Sequence, residues 1–162
     1  MGILRPMRRR SFLLALRGLP VLLLAAAPAQ ALVPLVVIVA ADSPLKSVSS
    51  AELRRLFLHR SDSIQGETLI PFNHPAGMPL RERFDRAMLG MTPAEVGRFW
   101  VDRRLRSQPG PPRSVSSPQL LKRLTAKLQG AITYIEADQL DNSVRALNVD
   151  GSHYTDSAYA LR

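Results

Sequence analysis

Cysteine is absent from the 162 residues. That excludes disulfides, thiolate zinc sites, iron–sulfur ligation and thiol catalysis, so the fold must be held by its apolar core alone. Aromatic residues make up only 6% of the chain, and they do not interleave with the basic residues. Stacking of bases against a basic surface therefore has no support, and nucleic acid is not an expected partner. Long apolar runs are missing too. The longest clean stretch, Leu19 to Ala29, contains Pro20 and falls short of the ~20 residues a spanning helix needs. Nor does the chain contain a phosphate-cradling Walker loop, a dinucleotide fingerprint, a nucleophile elbow or an internal repeat.

Charge is abundant but unevenly placed. Five of the 22 basic residues fall within residues 1–31, leaving 17 against 13 acidic residues in the remainder, a net charge near +4. Arg5, Arg8, Arg9 and Arg10 precede an apolar stretch from Phe12 to Ala27, and Ala29-Gln30-Ala31 follows. A basic start, an apolar middle and small residues at the end form the pattern of a secretory signal, with cleavage expected after Ala31. A periplasmic domain with no membrane span after cleavage is the expected product. Arg9-Arg10-Ser11-Phe12-Leu13 resembles a twin-arginine signal and also fits an ordinary arginine-rich start, so Sec and twin-arginine routes both stay open.

The remaining 131 residues suffice for one domain. Leu35–Ala40 is a short β-branched run, apolar on both faces, which predicts a strand in a sheet covered on both sides. Ser49 or Ser50 caps a helix from Ala51 to about Leu58. Ser61 to Glu67 reads as a loop, and Thr68–Asn73 as a strand whose Pro71 suggests an edge or a strand end. A helix from about Leu80 to Leu89 is closed by Gly90. Thr92-Pro93-Ala94-Glu95 starts a helix reaching Leu105, with Thr as cap, Pro at the first position and Glu reaching back. Ser114 to Ser116 is a short extended piece. Ser117-Pro118 opens another helix, which Gly130 stops, and Ala131–Ile135 and Val144–Val149 are strands. Residues 32–150 thus read as one α/β domain with a mixed sheet flanked by helices, and residues 151–162 as a polar, frayed tail.

Candidate functional residues are few. His59, His74 and His153 are scattered and read as surface histidines without metal spacing. The carboxylate pairs Asp62/Glu67 and Glu82/Asp85 read as solvated, and the serines as caps. No cofactor and no enzymatic activity are expected. The turn His74-Pro75-Ala76-Gly77-Met78-Pro79 differs, because it feeds a helix whose first turn carries Arg81 and Arg83. Free backbone N–H groups and a guanidinium there could hold a small anion. The alternative is an ordinary turn with solvated arginines.

In order, these features resemble the phosphate-binding (PstS-like) substrate-binding proteins of ABC transporters. The strand Leu35–Ala40, the helix within Val48–Leu58, the turn at Gly66, the strand Leu69-Ile70-Pro71-Phe72 and the strand in Gly130-Ala131-Ile132-Thr133-Tyr134 carry the likeness. The resemblance implies a single lobe of a type II periplasmic-binding-protein-like fold. It also implies a role in ABC-type phosphate or anion uptake, with phosphate or another small oxyanion and a transporter or sensor subunit as partners. His74 stands where the family has an arginine, and Ala76 where it has an acid. The family's Ser-Gly-Thr phosphate loop falls on Met78-Pro79-Leu80, which removes two hydroxyl donors and one backbone N–H. His74, Gly77 and Arg81 are then the expected ligand contacts, and a weak binder or accessory the expected role. The opposing expectation is an exported interaction module that kept the fold and lost the ligand.

Overall fold

A computed structural model describes residues 33–161. Residues 1–31, read as a signal, lie outside the described residues. In chain order the structure contains β1 (Leu35–Ala40), β2 (Ser47–Val48), α1 (Ser50–Phe57), β3 (Ser63–Ile64), β4 (Glu67–Thr68), β5 (Ile70–Asn73) and α2 (Pro79–Phe84). After a π-helical turn, Asp85–Leu89, come α3 (Pro93–Leu105), β6 (Arg113–Ser114), α4 (Pro118–Lys127), β7 (Ala131–Glu136), β8 (Val144–Ala146) and β9 (Asn148–Val149).

The five-stranded sheet has the order β6-β5-β7-β1-β8. β5 runs parallel to β6 and β7, whereas β1 is antiparallel to both β7 and β8. This is the expected mixed sheet. β1 lies inside it, with Leu35 to Val39 at most 1% exposed, as a strand apolar on both faces requires. Side chains alternate along β7, so Ala131 and Tyr134 point to opposite faces. Leu121 of α4 packs with Ala131 and Phe72 on one face. On the other, Phe84 stacks on Tyr134 at 3.8 Å between ring centroids, and Phe57 of α1 tilts against Phe84 at 4.7 Å.

The helix starts behave as the sequence expects. Ser49 is the cap of α1 and exchanges hydrogen bonds with Glu52, and Thr92 does the same with Glu95 ahead of α3. Ser117 caps α4.

Two expectations need correction, and one pair of alternatives is decided. Of the edge or strand end that Pro71 suggested, the structure has the strand end, because β5 lies between β6 and β7 and Pro71 is its second residue. It is tolerated at the strand's start: Ile70 N–H donates toward β7, so the position of Pro71 faces β6, whose pairing begins only at Phe72. The loop at 61–67 contains a small β3–β4 hairpin turning at Gln65 and Gly66. The tail is not frayed. Tyr159 and Leu161 are buried, and the Tyr159 hydroxyl donates to Leu147 O while accepting from Val37 N. Leu35 N donates to Leu161 O, so the tail completes the part of β1 that β8 leaves unpaired.

Candidate functional site

The parallel strands β5 and β6 both end beside one cavity of ≈ 210 Å³. In α/β sheets, ligands gather outside the carboxyl ends of parallel strands, where the connections diverge. Here one connection leaves β5 through α2 and α3 to reach β6, and another returns through α4 to β7 on the opposite side of β5.

The three residues expected to contact a ligand line this cavity together: His74, which follows β5, Gly77 in the turn, and Arg81 in α2. Gly77 has φ +85°, a left-handed conformation that favours glycine. Beyond it, the Met78 N–H is already spent on Pro75 O, and Pro79 has none to offer. The segment aligned with the family's phosphate loop therefore presents few free donors.

His74 is not a surface histidine. Its exposure is 0%, its ring tilts against Tyr134, and its Nε2 lies 2.9 Å from Tyr134 O. A carbonyl only accepts, so Nε2 carries the proton and Nδ1 is a bare acceptor. Burial lowers the imidazole pKa, outweighing the hydrogen bond to Tyr134 O that raises it, and the Arg81 charge lowers it further, so the neutral form is favoured. Nδ1 is buried with no hydrogen-bond partner.

Arg81 is not solvated, and Asp85 corrects the reading of Glu82/Asp85 as a solvated pair. Arg81 Nε donates to both Asp85 carboxylate oxygens, at 2.8 and 2.7 Å, and Nη1 donates to His74 O at 3.2 Å. The side chains are 9% and 5% exposed. Burial raises the Asp85 pKa, and the Arg81 charge only partly opposes it. Arg81 is thus largely neutralised, and it also braces the backbone of His74. Glu82, at the same cavity, pairs outward with Arg86 at 3.6 Å.

Sequence reasoning missed the far wall. Val96, Gly97 and Trp100 of α3, with Pro111 and Pro112 before β6, close the cavity. Trp100 is 9% exposed, and its indole Nε1 is a second buried atom without a partner. The four-residue spacing of Arg81 and Asp85 was a readable signal for their ion pair. Nothing local in the sequence places Trp100 there. His59 is half-buried at 6.0 Å from Trp100, and His153 is exposed in the tail beside Thr155. Among the described residues no three His, Asp or Glu side chains converge on a metal position.

A Vibrio cholerae ABC-type phosphate transport receptor superposes with a TM-score of 0.61 at 20% identity, over 74% of this chain and 47% of its own. The fold is one lobe of that architecture. A Clostridium perfringens protein crystallised with phosphate, described as a phosphate ABC transporter substrate-binding protein, gives 0.61 at 17%, over 75% of this chain and 46% of its own. PstS from Borrelia burgdorferi gives 0.55 at 11%, over 74% and 48%. The chain spans about half the length of these proteins. No family model and no curated protein matches the sequence.

Proposed function

We propose that this chain is an exported solute-binding lobe of the phosphate-type class, a weak binder or accessory of ABC-type anion uptake. Its binding site is the cavity where His74, Gly77 and Arg81 meet. The observation that carries the reading is that cavity: it lies at the carboxyl ends of β5 and β6 and is lined by two residues with unpartnered buried polar atoms. The neutralised Arg81 and the missing hydroxyls explain why binding would be weak, since a buried anion needs convergent donors. Export rests on the pattern of residues 1–31. Among the described residues no helix is long and apolar enough to cross a membrane.

Calorimetric titration of the domain with phosphate, sulfate and molybdate tests this. Saturable heat at submillimolar ligand supports it, and silence through millimolar concentrations of all three rejects a small-oxyanion site. One observation favours an interaction module instead: α3 leaves Val101 59% and Leu105 81% exposed, next to Arg98 and Arg104. Retention of a transporter or sensor subunit on the immobilised domain, lost in Val101→Asp/Leu105→Asp, would support that reading.

A further inference from the structure

α3 carries apolar side chains on two faces. Val96 and Trp100 are buried against the domain. On the outward face, Val101 and Leu105 are the two most exposed large apolar residues among those described. Single exposed leucines are ordinary on a protein surface. These two instead continue a line, with Ala94 and Arg98 exposed ahead of them at steps of four, three and four residues. That alternation is the seam by which one helix pairs with another. Gly97, beside the seam, is a second sign. It is exposed, and an added Cβ would meet nothing within 4 Å, so the packing of the domain itself does not require glycine there. Glycine weakens a helix interior, but its bare backbone lets a crossing helix come close.

The charges around the seam select what can cover it. Glu95 and Asp102 flank one side, Gly97 and Arg104 the other. Asp102 is paired with Arg106 at 3.0 Å, and Glu95 is held by the Thr92 cap. Among the described residues Arg98 and Arg104 form no ion pair. A second copy fits badly. Antiparallel pairing would set Glu95 of one copy beside Asp102 of the other, and parallel pairing would stack Arg98 on Arg98. An anionic bilayer fits badly as well. It attracts clusters of about four or more basic residues, whereas here two acids share the surface with the arginines. One acidic residue on a partner helix, opposite Arg98, balances the seam and fixes the register.

Resting on the interaction reading of α3 given above, we propose that this face docks an amphipathic helix of another protein, with an acidic residue in its apolar seam opposite Arg98. Val101 and Leu105 pack between apolar residues of that helix, and a large side chain of the partner lies over Gly97. With 13 residues, α3 offers a seam about 20 Å long.

The test is photo-crosslinking in cells producing the full chain, with p-benzoylphenylalanine in place of Val101 or Leu105, and in place of the exposed Lys127 of α4 as a control. Mass spectrometry identifies what is captured. Both α3 positions should capture the same segment of one other protein, and Lys127 should not. Apolar residues should recur in that segment every three or four positions. An acid should lie beyond the Val101 contact, on the side away from the Leu105 contact. Arg98→Glu should lower capture at Leu105 by about tenfold or more, and exchanging the partner's acid for arginine should restore it. Arg98→Gln places no new acid beside Glu95 and Asp102, so it controls for a weakened helix, and it should still lower capture about threefold. Capture of a second copy, or of lipid together with sedimentation on phosphatidylglycerol vesicles, would overturn the proposal. A captured segment without this pattern, or capture that Arg98→Glu leaves intact, would overturn the acidic helix while α3 remains an interaction surface. No capture from either position overturns the helix too, and retention that ignores Val101→Asp/Leu105→Asp then rejects the interaction reading itself.

Discussion

Removing Asp85 should cost far more than its single carboxylate suggests. Arg81 cannot shed its proton, so Asp85→Ala leaves a guanidinium in a side-chain environment only 9% exposed, bonded to one carbonyl, His74 O. Breaking a buried pair in this way costs about 3–5 kcal/mol. For a domain of this size, with an unfolding entropy of roughly 2.1 cal/mol/K per residue, that lowers the melting temperature by roughly 10–18 °C. Arg81→Met should be milder, because Asp85 can take up a proton and become neutral. Burial already raises its pKa, so less is needed to neutralise it. The sign follows from linkage: a carboxyl raised in the folded state contributes stability that is present below its unfolded pKa and lost as pH rises through the folded one. The Arg81→Met deficit should therefore be small near pH 4 and largest near pH 7. The double variant Arg81→Met/Asp85→Leu should recover to within about 1 kcal/mol of wild type or exceed it, as apolar replacements of buried pairs often do. With the single variant Asp85→Leu added, urea unfolding of wild type, Arg81→Met, Asp85→Leu and the double variant closes the cycle and gives the coupling energy. A loss below about 1 kcal/mol in Asp85→Ala, or a double variant no better than that single, would refute the assignment of the pair as buried and mutually dependent.

Four further outcomes follow from other parts of the structure. Gly130 has φ +75°, and a Cβ there would lie 2.5 Å from Thr68 O, so Gly130→Ala should destabilise by more than the ~1–2 kcal/mol of left-handed strain alone, read from urea midpoints. Tyr159→Phe strands Leu147 O and Val37 N at the edge of β1, and should cost about 1–3 kcal/mol by the same assay. Ser49→Ala removes the α1 cap and should cost ~1 kcal/mol, with Ser49→Gly losing only a few tenths. His74 and His59 are both held below the ordinary histidine pKa, chiefly by burial. Their contribution is present above the unfolded pKa of about 6.5 and lost as pH falls through the lower folded ones, so His74→Gln should flatten the slope of stability below about pH 6.5. An unchanged slope would place the pH sensitivity elsewhere.

Much of the fold was legible because it is written in short-range signals. Two capping boxes, the Ser117-Pro118 start and the β-branched run at Leu35 each declare themselves within a few residues. What stayed hidden depends on partners far along the chain. The last residues look polar, yet Tyr159 is one of few aromatics and finds its place 122 residues away, at Val37. The site divides along the same line. His74, Gly77 and Arg81 lie in one turn and helix start, so a local reading could collect them. Their roles could not be read there. Whether Arg81 is a free cation or a neutralised brace depends on Asp85 turning inward on the π-helical turn, and the apolar wall depends on α3 and the Pro111–Pro112 segment folding back over the β5 end. Local sequence singled out the turn that lines the cavity, and tertiary packing gives that turn a nearly neutral, largely apolar setting in place of the expected cationic one. The strands that frame the cavity set its place, while its charge and polarity are set by side chains on α2, the π-helical turn and α3.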